Sequence, residues 1–325
     1  MIQTASEIRR VIPDAATETA WIAADGHRLR RIDWRRIDRG GGQGDVAARG
    51  SLLFLPGRGD SYEKYLESMH EMYLAGWQVT GLDWRGQAGS GRLGLDATTG
   101  HVADFAQWVD DLVAFWREWC RETPGPHVVL GHSMGGHIVL RALEERSIDP
   151  AAAVLVAPML GFAGVPLPYA LLHAFAKLRS RTGDSRRPAW KWSEKPGELP
   201  AGRAALLTHD AERYADEEFW REERPELVMG PASWGWLEQA LASMRRIMAP
   251  DSLARVRTPI LIIASRADRL VSPRAIRKAA ALLPDAQLVE FGPESAHEIL
   301  REVDPVRDRA LAAIRDFLDQ RAPRA

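Results

Sequence analysis

Ser133 stands in Gly131-His132-Ser133-Met134-Gly135, a Gly-x-Ser-x-Gly pattern. A serine hydroxyl is a poor nucleophile until a base takes its proton. The setting gives the pattern its weight: an apolar run, Val128-Val129-Leu130, leads in, and a helix-forming run, MGGHIVLRALEE, leads out. On a sharp strand-to-helix turn the serine hydroxyl is pushed into the open, and glycines on either side avoid collision between strand and helix. The chemistry such a serine can do is acyl transfer, provided a histidine and an acid are brought to it.

For a turn of this kind the order along the chain is Ser, then acid, then His. Of nine histidines, only His297 follows the last apolar run. His27, His70, His101 and His127 precede the serine; His132 adjoins it and is expected to point away; His137, His173 and His209 lie before the last two apolar runs. The acid should leave an apolar run at its carboxyl end, and Asp268 does so directly after PILIIA. Asp251 and Asp285 would sit at the opposite edge, and Glu298 is too near His297 in sequence to orient it. The developing oxyanion needs N–H donors. One is expected from the backbone of Met134, the other from the backbone of Arg58 in the loop Leu55-Pro56-Gly57-Arg58-Gly59-Asp60. The Arg58 guanidinium itself reads as a surface ion-pair partner for Asp60.

These residues need a frame that brings them together. Short apolar runs at residues 51–56, 78–84, 127–131, 151–156, 259–264 and 286–291 read as strands, the purely apolar ones as buried parallel strands. Helical spacing marks residues 61–77, 105–119, 134–145 and 306–318, and Phe105, Trp108, Leu112, Phe115, Trp116 and Trp119 fall on one face as core. Trp21 to Trp34 reads as a hairpin turning at Asp25-Gly26, and Arg39-Gly40-Gly41-Gly42-Gln43-Gly44 as a flexible connection. Strands alternating with helices imply an α/β fold with a mostly parallel sheet covered on both faces. The alternation stops between about residues 158 and 251, an interval rich in aromatics and prolines. It is expected to be a helical cap over the sheet's carboxyl edge, dividing the chain into residues 1–157, 158–251 and 252–325. Phe162, Leu171 and Phe175 are expected to line an apolar channel in that cap.

Composition narrows the function classes. The chain has 325 residues, 46% of them hydrophobic, and 43 Lys+Arg against 44 Asp+Glu. That balance gives no net charge to recruit nucleic acid. The single cysteine, Cys120, can form no intrachain disulfide and reads as a small packing residue. The start of the sequence shows no basic head followed by an apolar run, and no stretch has ~20 uninterrupted apolar residues, so a soluble cytoplasmic protein is expected. No metal-ligand spacing or phosphate-cradling glycine loop occurs, and no cofactor is implied.

Several segments together resemble a known group. Arg58-Gly59-Asp60-Ser61-Tyr62-Glu63-Lys64-Tyr65, Asp83-Trp84-Arg85-Gly86-Gln87, GHSMGG, Ala267-Asp268-Arg269-Leu270-Val271 and the tail from Ser295 look like the monoglyceride lipase and bacterial lysophospholipase group of the α/β-hydrolase superfamily. The tail is particularly similar to bacterial inner-membrane lysophospholipases. The resemblance runs from about residue 51 to 318, strong in the core and weak in the cap. It implies Ser133, Asp268 and His297 as the triad, an ester substrate with one acyl chain, and room for peripheral contact with the inner membrane face; the oligomeric state stays open. One departure is Pro56, where many relatives carry histidine in His-Gly-x-Gly, so this loop must be supported differently. Two alternatives stand: a prolyl-type aminopeptidase using the acids of residues 210–223 to hold a substrate amino terminus, and a non-catalytic binding protein of the same fold.

Overall fold

The computed structural model describes residues 8–35, 48–165, 167–191 and 202–324; the Gly-rich connection expected at residues 39–44 lies outside them. Eight strands form one sheet: β1 (Ala16–Ile22), β2 (Arg28–Trp34), β3 (Ser51–Leu55), β4 (Gln78–Leu82), β5 (His127–His132), β6 (Ala152–Val156), β7 (Ile260–Ser265) and β8 (Ala286–Phe291). Their spatial order is β1-β2-β4-β3-β5-β6-β7-β8. β1 and β2 form the antiparallel hairpin, with Gly26 at φ +83° in its turn, and β2 joins β4 antiparallel. All other pairings are parallel.

The central strands are buried throughout because both faces are covered. Alternate residues feed two cores, as the two-residue period of a strand requires. Leu53, Leu55, Val129, Leu155 and Ile262 face one core, which includes α2 (Phe105–Glu122) and α3 (Met134–Glu144). Leu52, Phe54, Val128, Val154 and Ile263 face the other, with α1 (Leu66–Leu74). The aromatic face of α2 is buried as the spacing predicts, and Asp104 caps that helix by accepting from the Ala106 N–H. Cys120 lies half-buried on α2, where burial pushes its thiol up to about 11.

The helix expected over residues 61–77 is shorter than its spacing suggests. A 3-10 turn at Tyr62–Tyr65 precedes α1 and carries Lys64 inward onto Asp60. Between β6 and β7 lie α4 (Tyr169–Arg181), α5 (Ala204–Leu207), α6 (Ala211–Glu223), α7 (Trp234–Ile247) and α8 (Pro250–Leu253), with no strand among the described residues. The chain then completes the sheet through α9 (Pro273–Leu282) and closes on α10 (Asp304–Arg321), which packs on the second core. Among the described residues, no helix is long and apolar enough to cross a membrane.

The joint between β5 and α3 has no room for side chains at two positions. A Cβ on Gly135 would lie 2.3 Å from the Leu55 carbonyl oxygen and 2.6 Å from that of Pro56, and one on Gly131 would lie 2.7 Å from the Gly136 nitrogen. Gly135→Ala should therefore push α3 off the end of β3 and lower stability by about 1–3 kcal/mol, as overpacking does. A Cβ on Gly136 would meet nothing closer than 3.0 Å. Thermal melts should rank Gly135→Ala well below Gly136→Ala; equal melting points would show that the joint is looser than described.

Candidate active site

Ser133 occupies the turn between β5 and α3 with φ 51° and ψ −113°. A non-glycine residue held there stores about 1–3 kcal/mol of backbone strain. Neighbouring chain holds it: the Ser133 N–H donates to Val156 O at 2.9 Å, and Ser133 O accepts from Met159 N at 2.9 Å and His137 N at 3.1 Å. The side chain is left half-buried at the carboxyl edge of the sheet.

The three residues singled out by chain order meet there. Ser133 Oγ lies 3.0 Å from His297 Nε2, and His297 Nδ1 lies 2.7 Å from Asp268 Oδ2. Asp268 Oδ1 accepts from the N–H groups of Leu270 at 2.8 Å and Val271 at 3.0 Å. Burial disfavours the Asp268 carboxylate, but His297 and those N–H groups outweigh it and hold the carboxyl below its ordinary range. Burial likewise disfavours an imidazolium at His297. Asp268 more than offsets it, with Glu298 and Asp60 adding to the effect, so the His297 pKa is raised. With Nδ1–H donated to Asp268, Nε2 is the acceptor that faces the serine hydroxyl.

The loop after β3 lies against the serine: a Cβ on Gly57 would come within 3.0 Å of Ser133 Cβ. Pro56 contributes its carbonyl, which accepts from Trp84 Nε1 at 2.7 Å. Support for the loop comes from Asp60 Oδ2, accepting from Gly57 N at 3.2 Å, and Gln87 Oε1, accepting from Gly59 N at 2.7 Å. The expected Arg58–Asp60 ion pair does not form. Asp60 turns inward to Lys64 and His132, while the Arg58 guanidinium donates to Gly230 O at 2.7 Å and lies 5.2 Å over the Trp236 ring. His132 does not point away idly either. Its ring is buried 4.9 Å from that of His297, and its Nδ1 lies 2.9 Å from Tyr65 Oη and 3.0 Å from Asp60 Oδ2.

A cavity of about 860 Å³ opens over the serine. Its apolar wall is built by Met159, Phe162, Leu206, Leu207, Met229 and Trp236. Phe162 is held there by a short bridge to Val271. Leu171 and Phe175 are not among the cavity residues. They are 59% and 52% exposed on the outer face of α4, where Phe175 stands edge-on to Trp234 at 5.6 Å. The reason is the rotation of α4, which presents Ala176 inward. Residues 206 and 207 come from α5, 229 from the chain before α7 and 236 from α7, so no periodicity in the sequence could have grouped them.

Residues 46–304 match the family described as serine aminopeptidase, S33. The chain is 31% identical over 283 residues to lysophospholipase L2 of Escherichia coli (strain K12), covering 83% of this chain and 80% of that protein. It superposes on a soluble variant of monoglyceride lipase from Saccharomyces cerevisiae in complex with a substrate analog, with a TM-score of 0.72, 16% identity, and 99% and 98% of the two chains covered. A monoacylglycerol lipase from Paleococcus ferrophilus gives 0.65 and 22%, over 85% and 96%. At these identities the two solved structures speak for the shared fold.

The geometry makes Ser133→Ala and His297→Ala equivalent: each should lower kcat on a good ester by on the order of 10⁴–10⁶, and the double variant by little more. Ser133→Ala retaining a tenth of activity would rule out the assignment. As a base His297 would have to be neutral to take the serine proton, so its raised pKa should move the acid limb of kcat/KM above the ordinary histidine value of about 6.5. Asp268→Asn removes the main offset to burial and should shift that limb to lower pH while reducing kcat. A limb that does not move in Asp268→Asn would show that another group sets it.

Proposed function

We propose, from the premise that the chain belongs to the serine aminopeptidase S33 family of α/β-hydrolases, that it hydrolyses carboxylic esters bearing one acyl chain. The substrate would be lysophospholipid or monoacylglycerol-like. The observation that carries this reading is the Ser133–His297–Asp268 chain at the floor of a largely apolar cavity. In the proposed sequence, His297 Nε2 takes the proton of Ser133 Oγ as that oxygen bonds to the substrate carbonyl carbon. The backbone N–H groups of Met134 and Arg58 hold the oxyanion. His297 then gives its proton to the leaving alcohol as the C–O bond breaks, and water releases the acyl group by the same steps in reverse roles. Residues 158–251 act as the cap that shapes the acyl site.

The aminopeptidase alternative has the family's description in its favour and the charge pattern against it. Four of its seven acids are already engaged: Glu212 with Arg9, Asp216 with Arg9 and Arg10, Glu217 with Lys64, Arg203 and Arg221, and Asp210 with Arg213. None of the acids of residues 210–223 is among the cavity residues described. A substrate ammonium would find arginines there at positions 58, 203, 221 and 269, and two carboxylates, Asp60 and Glu298, that are already paired with Lys64.

Peripheral membrane contact belongs to the same proposal. Leu171, Phe175 and Leu178 on α4 and Leu167 just before it are each more than half exposed, and Lys177, Arg179 and Arg181 flank them with no acid on that helix. An apolar stripe bordered by cations suits the interface of an anionic bilayer.

Each acyl methylene buried in the cavity contributes ~0.8 kcal/mol, so two carbons are worth roughly tenfold in binding. For p-nitrophenyl esters kcat/KM should climb from acetyl to about octanoyl and then level off; Phe162→Asp should flatten the climb and spare acetyl ester. Faster cleavage of a prolyl anilide than of any long-chain ester would overturn the substrate class. Because Leu171 and Phe175 lie outside the cavity, the double change Leu171→Asp, Phe175→Asp should leave the chain-length profile intact. It should weaken sedimentation with vesicles containing phosphatidylglycerol by tenfold or more, on the order expected from two exposed apolar anchors. Unchanged vesicle binding would remove α4 as the contact.

A further inference from the structure

We propose that Lys64 is a positioning residue for acyl transfer, joining the loop after β3, the His297 loop and cap helix α6 into one register. The proposal rests on the Ser133 reading given above, and it assigns a task to the buried ionic cluster around Lys64.

Lys64 Nζ meets three carboxylates from three separate segments: Asp60 Oδ1 at 2.6 Å, Glu298 Oε1 at 2.5 Å and Glu217 Oε2 at 3.1 Å. Its side chain is only 4% exposed. Each carboxylate has a second attachment that matters to the site. The other oxygen of Asp60 accepts from Gly57 N at 3.2 Å and lies 3.0 Å from His132 Nδ1, so it holds the loop that lies against Ser133. Glu298 follows His297, and its N–H donates to Leu207 O at 2.7 Å, while His297 N donates to Leu206 O at 3.4 Å. The base is therefore suspended from α5 as well as from Asp268. Glu217 sits on α6 and pairs also with Arg203 and Arg221.

Ionic clusters of this kind are a poor source of stability, because desolvating the charges consumes most of the attraction between them. What they supply is a unique arrangement, since any shift of one segment strands a buried charge. The three links are also unequal. Lys64 donates hydrogen bonds to Asp60 and Glu298, whereas Glu217 receives ion-pair contacts without hydrogen-bond geometry among the described residues. The joint to the cap is thus the weakest of the three. Displacement of α6 would unbalance Lys64 against the two loops that carry the oxyanion donor and the base. An ångström of misplacement at either can cost on the order of a hundredfold in rate.

The test compares Glu217→Gln, which keeps shape and removes the charge on the cap side, with Lys64→Met. Three readouts are needed: thermal melts, kcat and KM on acetyl and octanoyl p-nitrophenyl esters, and the rate of covalent labelling by a fluorophosphonate. A positioning role lowers kcat and the labelling rate together, by roughly tenfold to a hundredfold, equally for both esters and with KM within twofold. A merely structural role moves the melting point and KM and leaves kcat alone. Wild-type kcat and labelling rate in a folded Glu217→Gln protein would overturn the proposal; if Lys64→Met fails to fold, Glu217→Gln decides by itself. Absence of labelling in the wild-type protein would instead count against the Ser133 reading, so the two failures are distinct.

Discussion

Contact between the first turn of α3 and the end of β3 is the constraint on which the rest of the site depends. Gly135 meets the Leu55 and Pro56 carbonyl oxygens so closely that a Cβ there would stand 2.3 Å and 2.6 Å from them. That approach keeps Ser133 at its strained φ and ψ, and it leaves the chain after Pro56 crossing directly over the serine. β3 and β5 must be parallel neighbours for this to happen, which they are in register from Ser51 opposite His127 to Leu55 opposite Gly131. The reversal of strand order on either side of that pair opens the crevice where ligands of such sheets bind. The exposed serine and the loop that crosses it are consequences of one backbone approach.

Behind that floor lies a buried ionic cluster, and in front of it a cavity whose wall is mainly apolar. Lys64, Asp60, Glu217, Glu298 and Arg301 are all buried, while methionine, leucine, phenylalanine and tryptophan wall the cavity together with Arg58, Arg203, Arg221 and Arg269. The division suits a substrate that is mostly hydrocarbon with a polar ester at one end. Charges in the wall would have to be desolvated each time an acyl chain entered. Carboxylates already paired with Lys64 and Arg301 fix the position of the loops and need no partner from the substrate. Asp60 shows the logic: the sequence suggests a surface partner for Arg58, yet it becomes the buried anchor of the loop that Pro56 cannot support with a side chain.

The features legible in the sequence were those carried by a single segment. The glycines around Ser133, the acid after an apolar strand and the histidine after the last strand each depend on local geometry plus chain order, and the structure brings the three together. The sheet was legible for the same reason, because strands buried on both faces leave apolar runs that need no partner to be recognised. What could not be read depends on which side chain faces which across the fold. The outward rotation of Leu171 and Phe175 follows from how α4 packs against α7, and α4's own spacing is too evenly apolar to reveal it. Met229, Leu206 and Leu207 reach the cavity from loops and a one-turn helix that have no periodic signature.

His132 makes the limit of residue-type reasoning concrete. The site holds two buried histidines with rings 4.9 Å apart, and each has an aspartate at its Nδ1. Judged by partners alone, either could be a base oriented by an acid. The second nitrogen separates them. His297 Nε2 faces Ser133 Oγ at 3.0 Å, whereas His132 Nε2 faces the carbonyl oxygen of His297 at 3.5 Å, a group with no proton to give. The two Asp–His pairs therefore differ in direction: one faces the Ser133 hydroxyl, and the other the backbone carbonyl of His297. Sequence adjacency put His132 beside the serine, but its Nδ1 turns to Asp60 and Tyr65 and its Nε2 to the His297 backbone, so neither ring nitrogen is given to the Ser133 hydroxyl.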